Sequence, residues 1–580
     1  MSRWPSLVVV WLLVLPGVAT GAGLAAGDPS TPPLAPSVDA LSPQERTGRA
    51  VTSPRDWNET RRPDGENDSR ASIVAVYPNP VADGDVGEYV LLRVHDPVDV
   101  RGWTLADGET TVSLPNETLS GIVLVAANVS AARHLRASAS GSTTGSARNV
   151  TPVVATGLSL SNAGERIVLA DASGAPVATA EYENAPEGER FVDGAFRPVG
   201  ATDFDPATTA DVPTQTFVTP DLAVPLEPIR AATGSIRLAG YTFASERVAD
   251  ALARAVDRGV DVRVLVDDAP VGGVTRRQTR ALDRLVDAGV DVRALGGERA
   301  RYEYQHAKYL VADDTAIVLT ENWKPSGAGG HANRGWGVVL RDPATATALR
   351  DVFDADWTAP DARNWSTVAV DESADIAPAA NATYPARVRS RNLTVDSVTV
   401  ATAPDNAERV LVDALRNATD RILVLQMTAA RDGVLVRETI AAARRGVDVR
   451  VLLSSAWYAR EENGRVVDAL NALADRESLP LTAKLVDPEG RFRKVHAKGV
   501  VVDDSVVVGS VNWNDHSLRE NREVAVVLHG DGAAAYYANA FDRDWRGGGR
   551  TPVPTWLAAA TAVAVLVLLG VLARRIHFRD

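Results

Sequence analysis

An octapeptide occurs twice in this chain. HAKYLVAD runs from His306 to Asp313 and HAKGVVVD from His496 to Asp503, so the pattern H-x-K-x4-D repeats 190 residues on. A given His opens such a pattern by chance on the order of once in a thousand tries, and only eight His are available. Of the 61 basic residues five are Lys, and two of those five stand two places after a motif His. The match extends outward. Asn322-Trp323 and Asn512-Trp513 follow the motifs at equal distance, then Asn333-Arg334 and Asn521-Arg522, and RGVDVRVL precedes both, at Arg258 to Leu265 and Arg445 to Leu452. An internal repeat of about 190 residues requires two similar folding units in one chain.

The chemistry of the repeat follows from its alternation. Apolar residues alternate up to Asp313-Asp314 and Asp503-Asp504, turn-favouring pairs, and resume beyond them, which predicts strand, tight turn and returning strand. Strand side chains alternate with period two, so His306 and Lys308 share a face, as do His496 and Lys498. Brought together, the two faces offer two imidazoles for covalent attack and proton transfer. Two Lys and two Asn, Asn322 and Asn512, would neutralise and hydrogen-bond phosphoryl oxygens, as would the hydroxyls of Thr320 and Ser510. A lone His is more often a satisfied core residue, and that reading serves for His95, His134, His331, His516, His529 and His577.

These residues in this order resemble the phospholipase D superfamily over roughly residues 226 to 548. The resemblance implies two α/β/α halves related by pseudo-twofold symmetry, one active site between them, no metal and no cofactor. It implies that His306 becomes a phosphohistidine and His496 protonates the leaving oxygen, with Asp313 and Asp503 as structural turn residues. The halves differ. GSVNW of the second becomes LTENW in the first, and Glu523, which in this family orients a motif imidazole, aligns with Gly335. The expectation is that Glu523 holds His496 and that His306 lacks a carboxylate unless Glu321 or another residue supplies one.

Strands such as SIRLAGYTF and VDVRVLVDD alternate with amphipathic helices, predicting α/β layers with a largely parallel core. The expected order is a signal peptide at 1–26, a disordered linker at 27–70, a β-sandwich at 71–185, a linker at 186–225, the first half at 226–365, a linker at 366–400, the second half at 401–548, a membrane span at 555–573 and a basic tail at 574–580. The sandwich, with GEYV, GWTL and LSLSNAGERIVLAD, resembles the lamin-tail domain and is of immunoglobulin-like size. Its expected role is binding or spacing, or equally a purely structural one.

Location is marked at both ends. An early Arg3 and LVVVWLLVLPGVA read as a secretory signal, cleaved near Ala22 or Ala26 or retained as an anchor. The apolar run from Trp556 to Ala573 is followed by Arg574, Arg575 and Arg579, which keep that end inside and the body outside the cell. Nine N-x-S/T sequons, against roughly three from composition, are candidates for glycosylation. A net charge of −13 with Arg far above Lys suits a salt-loving organism, and zero Cys excludes disulfides and thiolate metal sites.

Three functions compete: a phospholipid phosphodiesterase or phosphatidyl transferase tethered beside its lipid, an extracellular metal-independent nuclease using RFRK (Arg491 to Lys494) and the Arg-rich stretch Arg276 to Arg284, and a binding protein with a decayed site.

Overall fold

In a computed structural model the chain is described over residues 70–547, except 82–83, 85, 131–149, 222, 329 and 369–382. The signal at 1–26, nearly all of the linker at 27–70, the span at 555–573 and the basic tail at 574–580 lie outside the described residues. Among the described residues no helix is long and apolar enough to cross a membrane.

Fifteen strands make one continuous sheet through both repeats. In the first, Ser235–Gly240, Asp261–Asp267 and Asp291–Leu295 run parallel; in the second, Arg421–Gln426, Asp448–Leu453 and Leu481–Leu485 do. Beside each trio lies a motif hairpin, Tyr309–Ala312 with Thr315–Leu319 and Lys498–Val502 with Ser505–Gly509. The hairpins pair antiparallel to the trios, so the sheet is mixed rather than largely parallel. Inside each hairpin the cause is local, since a tight turn can only join antiparallel neighbours.

Those turns are built by the motif aspartates, as expected. Asp313 and Asp503 have φ of 49° and 52°, which Asp tolerates better than bulkier residues. Asp313 accepts from the N–H groups of Thr233, Gly234 and Ser235 at 2.8, 2.9 and 2.8 Å, and Asp503 from Thr419, Asp420 and Arg421 at the same three distances. Burial would raise each carboxyl, but the donors outweigh it and hold both below the ordinary range. Each Asp therefore staples its hairpin to the start of the neighbouring strand.

The expected linkers carry structure. Ala207–Val218, inside 186–225, pairs antiparallel with Arg391–Ala403, which begins inside 366–400, and this central pair joins the halves. Asp211, at φ 55°, and Pro213 interrupt the alternation that would have marked the first of these strands. One face of the sheet carries two separate cores, under Glu246–Asp257 and Arg276–Asp287 in the first half and under Ala407–Asn417, Val434–Arg444 and Arg460–Glu477 in the second. The opposite face has a single core drawn from both halves, closed by Pro343–Trp357 and Asp531–Arg546. At roughly 1.5–3 kcal/mol per buried Val, Leu or Phe, this shared core makes the halves one folding unit.

Residues 71–198 form a six-stranded and a four-stranded sheet around their own core, including Val76, Leu92, Leu105 and Ile167. Glu189–Val192 and Ala195–Pro198 carry this region past its expected end at 185. Of the nine sequons, Asn116, Asn128, Asn364, Asn392 and Asn417 are described, and all five are exposed.

Candidate active site

The two halves exchange partners at the site. Short parallel bridges pair Gln305 with Arg522 and Arg334 with Val495. The His306 N–H donates to Arg522 O, and the His496 N–H to Arg334 O, both at 2.9 Å. Each motif His is thus fixed by the Asn-Arg segment of the other half. Charge clamps the same crossing. Arg522 lies 2.8 Å from Asp356 of the first-half helix, and Arg334 lies 2.9 Å from Asp544 of the second-half helix, all four buried. Sequence spacing had marked both Asn-Arg pairs without this role.

This exchange reverses the expected assignment of the carboxylate. Glu523 binds His306, with Oε1 and Oε2 at 2.8 and 3.0 Å from Nδ1, and does not hold His496. Equivalence between repeats placed Glu523 opposite Gly335 correctly; what it could not show is that the residue after each Asn-Arg pair serves the other half's imidazole. His496 therefore faces the Gly335 side. There Glu321 fills the gap. A Cβ on Gly335 would fall 2.4 Å from Glu321 Cγ, so the Glu321 side chain occupies the room that a side chain at 335 would need. Its Oε2 lies 3.6 Å from His496 Nδ1 and accepts from Asn333 at 3.2 Å, just as Glu523 accepts from Asn521 at 3.3 Å.

Both ammonium groups are buried beside their imidazoles. Lys308 donates to His306 O, and Lys498 lies 3.3 Å from His496 Nδ1 and 3.0 Å from His496 O. Lys308 also lies over the Tyr241 ring, which meets His306 edge-on, a neighbour the sequence did not single out. Burial pushes His306 down to about 4 despite the upward pull of Glu523, and it pushes Lys498 down to about 8. Burial, then Lys498 and the other site ammonium groups, hold His496 well below the ordinary imidazole range. The opposite group responds in kind: burial, only partly offset by Lys498, raises Glu321 to about 7.

A family profile described as "Cardiolipin synthase, PLD-like domain" matches residues 226–357 and 411–545, one match on each half. The chain belongs to the phospholipase D superfamily. It is 30% identical over 118 residues to a Caenorhabditis elegans protein named "Probable phospholipase D", covering 18% of this chain and 21% of that protein. It is 29% identical over 151 residues to cardiolipin synthase A of Pseudomonas aeruginosa, covering 25% of this chain and 29% of that one. The matches thus span less than a third of these relatives. Among solved structures, phosphatidylserine synthase of Haemophilus influenzae Rd KW20 aligns over 57% of this chain and 88% of its own, at 14% identity and a TM-score of 0.44.

Within this phospholipase D site, Asn322 and Asn512 each keep a side-chain oxygen buried without a partner. A phosphodiester anion has no hydrogen to give those oxygens, so any contact with phosphate falls to the two NH₂ groups. The hydroxyls of Thr320 and Ser510, expected to bind phosphate, accept from the N–H groups of Trp336 and Val524 at 2.9 and 3.0 Å and so pin the next strand to the loop, and that of Ser510 also donates to Val524 O at 3.2 Å. Arg491 and Phe492 of RFRK are buried, Arg491 against Asp544 at 3.1 Å, which leaves Arg493 and Lys494 at the cleft. One set among the described residues, Glu303, His516 and Glu520, has metal-ligand spacing. His516 Nδ1 lies 2.5 Å from Glu520, and these acids outweigh burial to raise its pKa, so an imidazole paired with two carboxylates accounts for the set.

The relocation of the carboxylate yields a prediction. Glu321→Val should lower kcat by about 10–100-fold, and Gly335→Glu alone should destabilise the chain by overpacking. The double variant, which makes the first half a copy of the second at both positions, should recover activity relative to Glu321→Val. Thermal melts and steady-state kinetics check this, and a double variant no better than either single one would sink it.

Proposed function

We propose that the chain is a membrane-anchored extracellular phosphodiesterase that cleaves or transfers phospholipid phosphodiesters through a phosphohistidine intermediate. One observation carries the reading: two imidazoles, each anchored from across the interface, meet between two buried ammonium groups. With Nδ1 committed to Glu523, His306 presents Nε2 as nucleophile. Attack forms a P–N bond and breaks the bond to the leaving oxygen, which takes its proton from His496. Water or an acceptor alcohol then returns a proton to His496, attacks phosphorus and breaks the P–N bond. An arriving phosphodiester anion offsets the site ammonium groups and raises His496 toward the value an acid needs.

The names of the relatives, a cardiolipin synthase and a probable phospholipase D, support lipid over nucleic acid. The nuclease reading loses Arg491 to the core, and Arg284 of the Arg-rich stretch pairs with Asp250 at 2.5 Å. The decayed-site reading loses its premise, since each imidazole has a carboxylate close by. The test incubates purified ectodomain in high salt with diether phospholipids and with single- and double-stranded DNA. Release of a headgroup or an exchanged phosphatidyl product supports the proposal, and cleavage of DNA alone overturns it.

Activity should survive exhaustive chelation at constant salt, because the phosphate is neutralised by ammonium groups; loss restored by one metal would refute this. For the anchor, protease added to intact cells should digest the ectodomain but spare a tag after Asp580. Protection of the ectodomain would reverse the orientation.

A further inference from the structure

The pseudo-twofold axis makes the two flanks of the site equivalent by position, yet their chemistry is opposite. Lys494 corresponds to Tyr304, Arg493 to Glu303, Lys324 to Asn514 and Ser326 to His516. Cross-half packing gathers the first member of each of the first three pairs on one flank. Lys324, Arg493 and Lys494 all line a cavity of about 530 Å³, together with Tyr458. On the other flank Glu303, His516 and Glu520 cluster beside Tyr304. A site that is symmetric in its catalytic groups is therefore strongly polarised, cationic on one side and acidic on the other.

The cationic flank is costly for the chain alone. Lys324 and Lys494 are partly buried and near enough to repel each other, and among the described residues neither forms an ion pair; one buried carboxylate, Glu321, faces both and is shared with Lys498. Lys494 donates to the Tyr458 hydroxyl at 2.7 Å and lies 4.6 Å from that ring's centre. Composition sharpens the point. Only five Lys occur in 580 residues, and Lys308, Lys324, Lys494 and Lys498 are all here, in a chain of net charge −13 that elsewhere uses Arg. Compact ammonium groups crowded together with Arg493 call for an anion beyond the one that the two motif lysines serve. The same cavity has an apolar rim: Trp457 is 83% and Val271 76% exposed. Exposed Trp and Val around a cationic floor suit a lipid interface, where apolar groups enter the boundary while ammonium groups meet phosphate.

We infer that this flank binds a second phosphoryl group, carried by the headgroup of a phospholipid whose other phosphate is attacked by His306. The inference rests on the lipid reading and names its substrate class: a lipid with two phosphates, entering in one direction only. The Lys324–Lys494 side takes the terminal phosphate and the Trp457–Val271 rim takes the bilayer surface.

The test measures kcat/KM on vesicles of diether phosphatidylglycerol and of the same lipid bearing a terminal phosphate on its glycerol headgroup. The second phosphate should raise kcat/KM at least tenfold. Lys324→Gln and Lys494→Gln should bring the ratio toward one, and the Lys→Arg variants should largely keep it. The ratio is the readout, so a general loss of activity leaves it interpretable. In parallel, full-length His306→Ala chain is titrated calorimetrically with inorganic pyrophosphate, and either Lys→Gln change should weaken binding at least tenfold. Turnover of both lipids at a ratio near one, with pyrophosphate binding indifferent to the lysines, overturns the inference while the lipid reading stands. Turnover of neither lipid, or displacement of pyrophosphate by a single-stranded oligonucleotide at lower concentration than by the lipid, removes the lipid occupant and the lipid reading with it.

Discussion

His306→Ala and His496→Ala should each lower turnover by roughly three powers of ten or more while leaving the fold intact. Both side chains reach the site from loop backbone that is fixed by main-chain hydrogen bonds across the interface, and Ala retains those bonds. Truncation at 306 also leaves the buried Glu523 carboxylate with Asn521 and Lys308 among its remaining partners. Neither His can serve for the other, since one is tied at Nδ1 to Glu523 and the other donates from Nδ1 toward Thr320 O at 3.1 Å. The double variant should be scarcely worse than either single one, because groups that act as a unit lose their effect together. The roles separate on a substrate whose leaving group needs no acid. There His496→Ala should still accumulate a phosphohistidine mapping to His306, and His306→Ala should form none. Labelled phosphate on His496 would exchange the roles, and a single variant of near-normal activity would reject a shared site.

Much of this site is legible in the residues, for identifiable reasons. A repeated H-x-K-x4-D with a trailing Asn is a short-range pattern, and short-range patterns survive in sequence whatever the tertiary arrangement. The Asp313 and Asp503 turns are equally local. What sequence conceals is exchange between halves. Alignment of the repeats pairs Glu523 with Gly335 but is silent on which imidazole each position faces; only the bridges Gln305–Arg522 and Arg334–Val495 decide that. The central strands Ala207–Val218 and Arg391–Ala403 were hidden for a different reason. Their polar residues are exposed only in part, and Asp211 with Pro213 mimics a loop. The cationic flank did leave a signal, since Lys324 and Lys494 stand close to the motif elements in a chain with five Lys. Placing them together required knowing that the two halves meet head to head.

Glu523→Gln should lower kcat by about 10²–10⁴. Glu523 is fully buried and accepts from His306, and its amide replacement keeps size while removing charge and leaving an NH₂ group able to face the ring. Burial would raise this carboxyl, but His306 and Lys308 beside it outweigh that and hold it below its ordinary range, so the carboxylate is the working form. Two consequences follow for His306. It loses the acceptor that keeps its proton on Nδ1 and its lone pair on Nε2, which costs rate. It also loses the neighbouring charge that most favours the imidazolium, so its pKa, already near 4 through burial, must fall further. The acidic limb of the kcat/KM profile should therefore move to lower pH in the Gln variant, the opposite of what removing a cation would do. Glu523→Asp, which keeps the charge on a shorter arm, should restore part of the rate and hold the limb nearer its original place. Merely structural loss would depress the rate without moving the limb, and a Gln variant with normal kcat would show that His306 is oriented by its backbone alone.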